Sequence, residues 1–296
     1  MRGVLGWVVT AAGAVLVLVA LRDIFSTIWH PGGRGGMTRR LMTGVWWLGR
    51  RRRYLHRLSG PLAMVLVVFV WLTMILLGWA LIYWPHLPTG FLYSSGLDPA
   101  SHDRLSDALY LSAVTLGTLG VGDIAPTATW LRIAVPMESL LGFGLITAAV
   151  SWVLEVYPAI TRRRALAVRL AHLNSAGTRE LLRRSDSSVA PGLLIDLSSR
   201  IAQLRADLTQ YAETYYFHDG DPEASLPAMF SVTLDLADQG DRSADPDLRY
   251  AAGLLRVSAE DYLRVIDHLF LGGGGATREI CAAYAADHRH ETATAP

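Results

Sequence analysis

A glycine-spaced stretch in the middle of the chain constrains the fold more than any other feature. It reads Thr-Leu-Gly-Thr-Leu-Gly-Val-Gly-Asp over residues 115–123, and long apolar runs lie on both sides of it. Glycine is costly to order, so Gly120 and Gly122 indicate backbone angles that other residues disfavour. Non-helical backbone at membrane depth persists only where protein buries it or where it lines a water-filled path. Carbonyl oxygens aligned along such a path can replace the hydration shell of an ion.

Residues 107–127 resemble the pore helix and selectivity filter of the potassium channel pore family. That family's filter runs Thr-x-Gly-Tyr/Phe-Gly-Asp, and the corresponding residues here, the filter segment, are Thr118, Leu119, Gly120, Val121, Gly122 and Asp123. The resemblance implies that the Thr118 hydroxyl and the carbonyls of residues 118–121 bind successive K⁺ ions. It also implies that Gly122 permits a turn and that Asp123 anchors the outer end. It implies no enzymatic activity and no cofactor apart from the permeant K⁺ ions.

The departure from the family pattern is Val121, where the family usually has an aromatic residue that packs against the pore helix. A smaller side chain leaves the support of the filter to other residues, and Tyr110 and Trp130 are the candidates. A weakly selective or nonselective cation channel is the alternative that this substitution leaves open. A glycine-rich turn between two membrane helices is the structural alternative, but a plain turn would not require the whole Thr-x-Gly-x-Gly-Asp sequence.

Three apolar runs are long enough to cross a bilayer core as helices, at residues 3–21, 61–84 and 130–156. A cleaved signal peptide is the alternative for the first run, although no clear small-x-small cleavage site follows it. A short pore helix is predicted over 105–117. The sequence therefore predicts an all-α integral membrane protein with three transmembrane helices, a re-entrant pore helix and filter, and a C-terminal cytoplasmic helical domain.

The arginines predict the orientation in the cell membrane. Nine of them fall between positions 22 and 57, three more occupy 162–164, and the loop 85–104 has one. Because positive charge stays on the cytoplasmic side, the N-terminus is predicted outside and the C-terminal domain inside. The segment 39–57 interleaves arginine with tryptophan and leucine, which is typical of an amphipathic helix on anionic lipid headgroups. Nucleic-acid binding is disfavoured for such a segment between two membrane spans.

The third apolar run contains three candidate functional residues. Gly142 lies nineteen residues after Asp123, where the resembling family has a hinge glycine, and Gly144 follows closely. Close helix packing through small residues is the alternative to a gating hinge. Glu138 is an acidic residue within this run, and an intramembrane carboxylate indicates a functional role by default. Pairing with Arg132, or a hydrogen bond that supports the filter, are its structural alternatives.

The composition changes beyond residue 165. The first 164 residues contain 15 arginines and 7 acidic residues, a net charge of +8, whereas residues 165–296 have 12 and 19, a net charge of −7. Prolines after turn-rich stretches, and apolar residues at alternating spacings of three and four, predict helices. We call such a row of apolar residues along one side of a helix a seam. Seams form a helical bundle within one subunit, which we favour, or a coiled coil between subunits. The predicted helices are 162–185, 191–217, 223–239, 246–270 and 276–288.

Other candidate features in this region are weaker. The glycines at 272–275 lack the strand-turn-helix context of a nucleotide-binding loop and are interpreted as a flexible linker. Histidines and carboxylates near His218 and His288 lack a recognised ligand spacing, so a solvated loop and tail are favoured over cation sites. The predicted parts are an N-terminal helix with a basic interfacial helix, a pore module, a cytoplasmic helical domain and a disordered tail, at residues 1–58, 59–158, 159–288 and 289–296.

One filter per chain provides one wall of a pore, so a symmetric homotetramer is expected. The resemblance then implies passive conduction of potassium. A potassium-uptake transporter subunit would need four filter repeats in one chain, and this chain has one. It also lacks the arginine-rich helix of a voltage sensor. A membrane sensor whose pore has lost conduction is the remaining alternative.

Overall fold

The structure is a computed structural model that describes residues 3–28, 36–51, 58–96, 103–183 and 188–290. The chain divides into two compact units. We call the first the membrane unit and the second the C-terminal unit, and they consist of Met1–Met42 with Leu62–Leu154 and of Thr43–Pro61 with Glu155–Pro296. Most of the described residues are helical, and three of the helices are long and apolar enough to cross a membrane.

The first two of these apolar helices are α1 (Val4–Ile28) and α3 (Ser59–Tyr83). They approach each other closely through two glycines. A Cβ atom on Gly13 would lie 2.4 Å from the Gly78 carbonyl oxygen. Small residues at such a crossing let the two backbones come together, which is a common way for membrane helices to associate. The first predicted span is therefore a packed helix of the membrane unit.

The third apolar helix, α5 (Leu131–Ser175), is longer than the sequence predicts. Residues 130–156 were expected to end at Pro158, with a separate helix from 162, but the helix continues through the proline. An interior proline costs about 3 kcal/mol because it lacks an N–H and its ring crowds the preceding turn. Packing offsets this cost, since Val156, Ala159 and Ile160 on either side of the proline are buried. The 45 residues span roughly 68 Å at 1.5 Å per residue.

A small antiparallel sheet lies where the sequence predicts only loops. The strands β1 (Phe91–Tyr93) and β2 (Ile124–Pro126) pair in the register Phe91 with Pro126 and Tyr93 with Ile124. The Ser94 N–H donates to the Asp123 carbonyl at 2.9 Å and extends the pairing by one residue. β2 begins immediately after the filter segment, so the sheet fixes the point where the filter segment ends.

The amphipathic segment predicted at 39–57 forms α2 (Met37–Arg51), and residues 52–57 lie outside the described residues. In the membrane unit, Asp23 of α1 accepts hydrogen bonds from the Met37 N–H and the Thr38 hydroxyl at 3.1 and 2.6 Å. A carboxylate at the start of a helix satisfies its free N–H groups. In the C-terminal unit, the Trp46 indole donates to Asp287 at 3.0 Å. Part of α2 therefore packs on protein rather than on lipid.

The C-terminal unit is a helical bundle, as predicted. Its helices are α6 (Thr178–Arg183), α7 (Ala190–Gln210), α8 (Leu226–Asp241), α9 (Pro246–Ile266) and α10 (Thr277–Asp287). The helix predicted at 191–217 is shorter than expected, because α7 ends at Gln210 and a 3-10 helix covers Ala212–Tyr216.

Helices α7 and α9 pack side by side within this unit. The Ser198 hydroxyl of α7 and the Ser258 hydroxyl of α9 meet at 2.8 Å. The predicted apolar seams of both helices are buried, as Ile201 of α7 and Leu255 of α9 illustrate. The two seams therefore form a bundle core within the subunit.

The structure of the C-terminal unit differs from two of the weaker predictions made from the sequence. The glycine run predicted as a flexible linker is an ordered turn, in which the Asp267 carboxylate accepts the N–H groups of Gly273 and Gly274 at 3.0 and 3.1 Å. Near His218, the Asp219 carboxylate accepts hydrogen bonds from Arg163 and Arg164 at 2.8 and 2.6 Å, so arginine occupies the oxygens that a cation would need. Of the tail predicted at 289–296, residues 291–296 lie outside the described residues.

The three arginines that follow the third apolar run are ion-paired within the C-terminal unit. Arg162 binds Asp207 through two hydrogen bonds of 2.7 and 2.8 Å. Arg163 is buried and, besides Asp219, donates to the carbonyls of Thr214 and Phe217. These arginines fasten the distal part of α5 to the helical bundle.

Candidate functional site

The backbone of the filter segment alternates between two conformations. Thr118, Gly120 and Gly122 have φ angles of 57°, 60° and 78°, whereas Leu119 and Val121 are outside the left-handed region. No helix or strand includes residues 119–122. The two glycines adopt this conformation without steric cost, but Thr118 is β-branched, and a positive φ is a genuine outlier for such a residue. Strain of this kind, about 1–3 kcal/mol, persists where the surroundings hold it in place.

The pore helix predicted at 105–117 is α4 (Arg104–Leu116), and its C-terminal end runs directly into the filter segment. The Thr118 and Leu119 N–H groups donate to the carbonyls of Thr115 and Val114 at 2.9 and 2.8 Å. These bonds continue the last turn of α4 and hold the strained Thr118. At the other end of α4, the Tyr93 hydroxyl donates to Asp107 at 2.9 Å, which ties α4 to β1.

Of the two candidates for supporting the filter, one contacts it. The Tyr110 hydroxyl donates to Asp123 Oδ2 at 2.7 Å, and Asp123 Oδ1 accepts the Ile124 N–H at 3.0 Å. The Trp130 ring instead packs on His86 and Trp7, with centroids 4.9 and 6.1 Å apart. Among the described residues, no hydrogen bond or ring contact joins Trp130 to the filter segment. Tyr110 on α4 therefore holds Asp123, the last residue of the filter segment, in place.

Glu138 joins three helices of the membrane unit. It is fully buried on α5 and accepts hydrogen bonds from the Tyr83 hydroxyl of α3 and the Ser112 hydroxyl of α4, both at 2.6 Å. Buried carboxyl groups are tolerated only where donors satisfy them. Among the described residues, Glu138 makes no ion pair with Arg132. Neither Tyr83 nor Ser112 was predicted as a functional residue, although a carboxylate in an apolar run indicates that hydrogen-bond donors must lie close to it.

α5 crosses the end of α4 at Gly142. A Cβ atom there would lie 2.0 Å from the Leu116 carbonyl oxygen, so a side chain cannot fit without displacing one helix. A Cβ atom on Gly144 would meet no atom within 4 Å. Close packing therefore accounts for Gly142, and α5 is helical through both glycines. The gating hinge at these positions stays a prediction.

A family model described as "Ion channel" matches residues 69–157. Those residues contain most of α3, all of α4, the filter segment and the membrane part of α5. Protein LctB of Bacillus caldotenax is 38% identical over 108 residues, which cover 34% of this chain and 75% of that protein. The chain belongs to the ion channel family. Residues 69–157 are therefore a channel pore domain, and the chain is not an enzyme.

Two further relatives cover different lengths of the channel. An uncharacterized membrane protein, YdjJ of Bacillus subtilis, is 27% identical over 223 residues, which cover 72% of this chain and 64% of that protein. Two-pore potassium channel 5 of Arabidopsis thaliana is 43% identical over 54 residues, which cover 17% of this chain and 13% of that protein. No solved structure matches the chain significantly. The chain is a multi-pass membrane protein.

The helix α1 lies outside the matched residues but is built into the channel's membrane unit. Asp23 of α1 is buried and accepts a hydrogen bond of 2.9 Å from the Trp71 indole of α3. The Trp71 ring packs on Trp152 of α5 with a centroid distance of 5.5 Å. Asp23 thus links α1 directly to α3 and, through the Trp71 ring, to α5, and its residue type alone did not predict this role.

Proposed function

We propose that four copies of this chain form a channel through which potassium passes down its gradient. The observation that carries this proposal is the alternating backbone of Thr118, Gly120 and Gly122. In an extended strand, successive carbonyls point to opposite sides. Alternation with left-handed angles turns every second peptide, so that the carbonyls of residues 118–121 can face one side together. With the Thr118 hydroxyl, they supply the oxygen ligands that replace the water around K⁺.

The proposed homotetramer follows from the exposure of the filter segment in a single chain. The Leu119 and Val121 side chains are 71% and 57% exposed, although they lie in the sequence between two long apolar helices. Unpaired backbone groups of this segment also need partners or ions. A closed ring of four identical chains covers these side chains and surrounds the axis with carbonyl oxygens.

The proposal also assigns a role to α4. Aligned peptide dipoles leave roughly half a negative charge at the C-terminal end of a helix. This end of α4 leads into the filter segment at Gly117. In the proposed tetramer, four such helix ends together lower the free-energy cost of placing a cation at the centre of the membrane. Gly142 and Gly144 remain the predicted hinge positions in α5, and the Tyr83–Glu138–Ser112 contacts support α4 from behind.

We further propose that the N-terminus is outside the cell membrane and the C-terminal unit is cytoplasmic, on the basis of the arginine distribution. Arg39 and Arg40 of α2 are exposed, and Arg50 to Arg53 follow in sequence. In this orientation the basic segment 39–57 is on the side of the inner leaflet. Anionic lipids there contribute about 1 kcal/mol of binding free energy for each arginine near the surface. Nucleic acid is not a proposed partner.

A weakly selective cation channel is the second candidate function. The observation that favours it is the exposed Val121 side chain, which cannot form the contacts of the aromatic residue found in the resembling family. Tyr110 holds Asp123 but leaves the position of Val121 without an aromatic support. The two candidates differ in the ratio of K⁺ to Na⁺ permeability.

Ion flux from liposomes tests the proposal. Purified channel in liposomes loaded with K⁺ should release it, and Gly120→Ala should abolish the flux, because its φ of 60° disfavours a side chain. Gly192→Ala is a matched control, since a Cβ atom at Gly192 would meet no atom within 4 Å and no positive φ is involved. Unchanged flux in Gly120→Ala would remove the filter assignment. Equal release of Na⁺ would favour the second candidate.

A further inference from the structure

Two tryptophans of the membrane unit pack on each other but differ in their hydrogen bonds. The Trp71 indole of α3 donates to Asp23 Oδ2 at 2.9 Å, and its ring contacts the Trp152 ring of α5 with a centroid distance of 5.5 Å. Trp152 is 2% exposed, and among the described residues no group accepts a hydrogen bond from its indole N–H. Because the ring is buried, a lipid or a neighbouring chain cannot reach this N–H unless the helices rearrange. A buried donor without a partner is costly in free energy and requires an explanation.

Asp23 is the buried acceptor that this pair of rings adjoins. Its Oδ1 accepts the Met37 N–H at 3.1 Å, and its Oδ2 accepts the Thr38 hydroxyl at 2.6 Å as well as the Trp71 indole. Both lone pairs of Oδ2 are therefore occupied. The Trp152 N–H can bind this oxygen only after the Trp71 N–H has left it, so the two adjacent indoles are alternative donors to one acceptor.

We propose that Trp152 replaces Trp71 at Asp23 when α5 moves as the channel opens or closes. In either arrangement one indole is bound and the other is not, so the hydrogen-bond free energy nearly cancels between them. Two packings of similar free energy are what a conformational switch requires. The inference rests on the proposed function, because it concerns how that channel opens.

The positions of the two tryptophans fit such an exchange. Trp71 belongs to α3, whereas Trp152 lies on α5, ten residues after the predicted hinge position Gly142. A movement of α5 relative to α3 therefore displaces the Trp152 ring along the Trp71 ring. Asp23 itself is held on α1 and by the start of α2, so it is a fixed acceptor for both indoles.

An indole analogue in the full-length channel tests the exchange. 3-Benzothienylalanine has the two-ring shape of tryptophan but carries sulfur in place of the N–H, so it removes the donor with little change in packing. In place of Trp152 it should change the ratio of open to closed times in planar bilayers several-fold, because it destabilises one arrangement alone. In place of Trp71 it should change the ratio in the opposite direction. Trp79 is the matched control, since its buried N–H also has no partner among the described residues, and its replacement should leave the ratio unchanged.

Removal of the shared acceptor gives an independent measurement. Asp23→Ala deletes the carboxylate to which the two indoles donate in turn. In channels with this substitution, the analogue in place of Trp152 should no longer change the ratio of open to closed times, because neither arrangement then depends on an indole N–H. A role of Trp152 in packing alone would not depend on Asp23 in this way.

The outcomes separate this inference from the proposed function. Opposite changes for the analogue at Trp71 and at Trp152, both dependent on Asp23, would support the exchange. A conducting channel in which the analogue at Trp152 has no effect, or acts in the same direction as at Trp71, would overturn the exchange and leave the proposed function intact. An effect at Trp152 that persists with Asp23→Ala would also overturn it. A wild-type chain that passes no ions would overturn both.

Discussion

The hydrogen bonds of Glu138 allow a quantitative prediction about the pore domain. Tyr83→Phe removes one of the two donors that satisfy this buried carboxyl group and changes almost nothing in volume. Leaving a buried acceptor unsatisfied costs about 1–3 kcal/mol, so we expect a destabilisation of about 2 kcal/mol. Ser112→Ala removes the other donor and should cost a similar amount. Glu138→Ala should cost more, since it also leaves a cavity among three helices.

A double-mutant cycle measures whether the two residues act through one contact. Tyr83→Phe and Glu138→Ala should be coupled by about 1 kcal/mol or more, because each removes the same hydrogen bond. The assay is reversible unfolding of the detergent-solubilised channel by added SDS, followed by circular dichroism. Arg132→Ala is the control, since Arg132 is exposed and makes no ion pair with Glu138 among the described residues. Additive effects of Tyr83→Phe and Glu138→Ala, or a large effect of Arg132→Ala, would refute the reasoning.

Four further predictions use the same protein. Val121→Tyr should raise the K⁺ to Na⁺ permeability ratio, read from reversal potentials in bilayers, and a wild-type potential already at the K⁺ limit would contradict this. Gly142→Ala should destabilise the channel through its clash with Leu116, whereas Gly144→Ala, with open space, should be neutral or gain up to about 1 kcal/mol. Arg163→Ala should cost about 3 kcal/mol in unfolding of the full-length channel, because it breaks a buried pair with Asp219. Burial raises the pKa of Cys281 to about 12, so iodoacetamide at pH 8 should label it only after unfolding.

The sequence predicted the parts of the pore that depend on local conformation. Gly120 and Gly122 are needed where the backbone is left-handed, and this requirement is visible in the residue types themselves. Both ends of α4 were likewise predicted to within one residue. The helical spacing of its apolar residues and the glycine at its C-cap are local signals. The predicted seams of α7 and α9 were confirmed as the core of the bundle for the same reason.

Features that depend on distant contacts were missed or misjudged. Pro158 was expected to end the third span, but burial of residues on both sides overrides its local cost. The strands β1 and β2 have three residues each, too few to show a period. Trp130 was a candidate support for the filter on sequence proximity, yet it packs on His86 and Trp7. The sequence of a single segment does not show which side chain from a distant part of the chain will contact that segment.

The strained Thr118 explains why so many of these distant contacts converge on α4. A β-branched residue with positive φ relaxes unless its neighbours are fixed, and the released strain would change the alternating backbone of the filter segment. Three hydrogen bonds to other elements fix α4 along its length, and they join Asp107 with Tyr93, Ser112 with Glu138 and Tyr110 with Asp123. Together they can outweigh a strain of about 1–3 kcal/mol, since each contributes about 1 kcal/mol. The backbone of the filter segment is thus encoded locally by its glycines, but its maintenance also depends on side chains outside the motif, such as Tyr110 and Glu138.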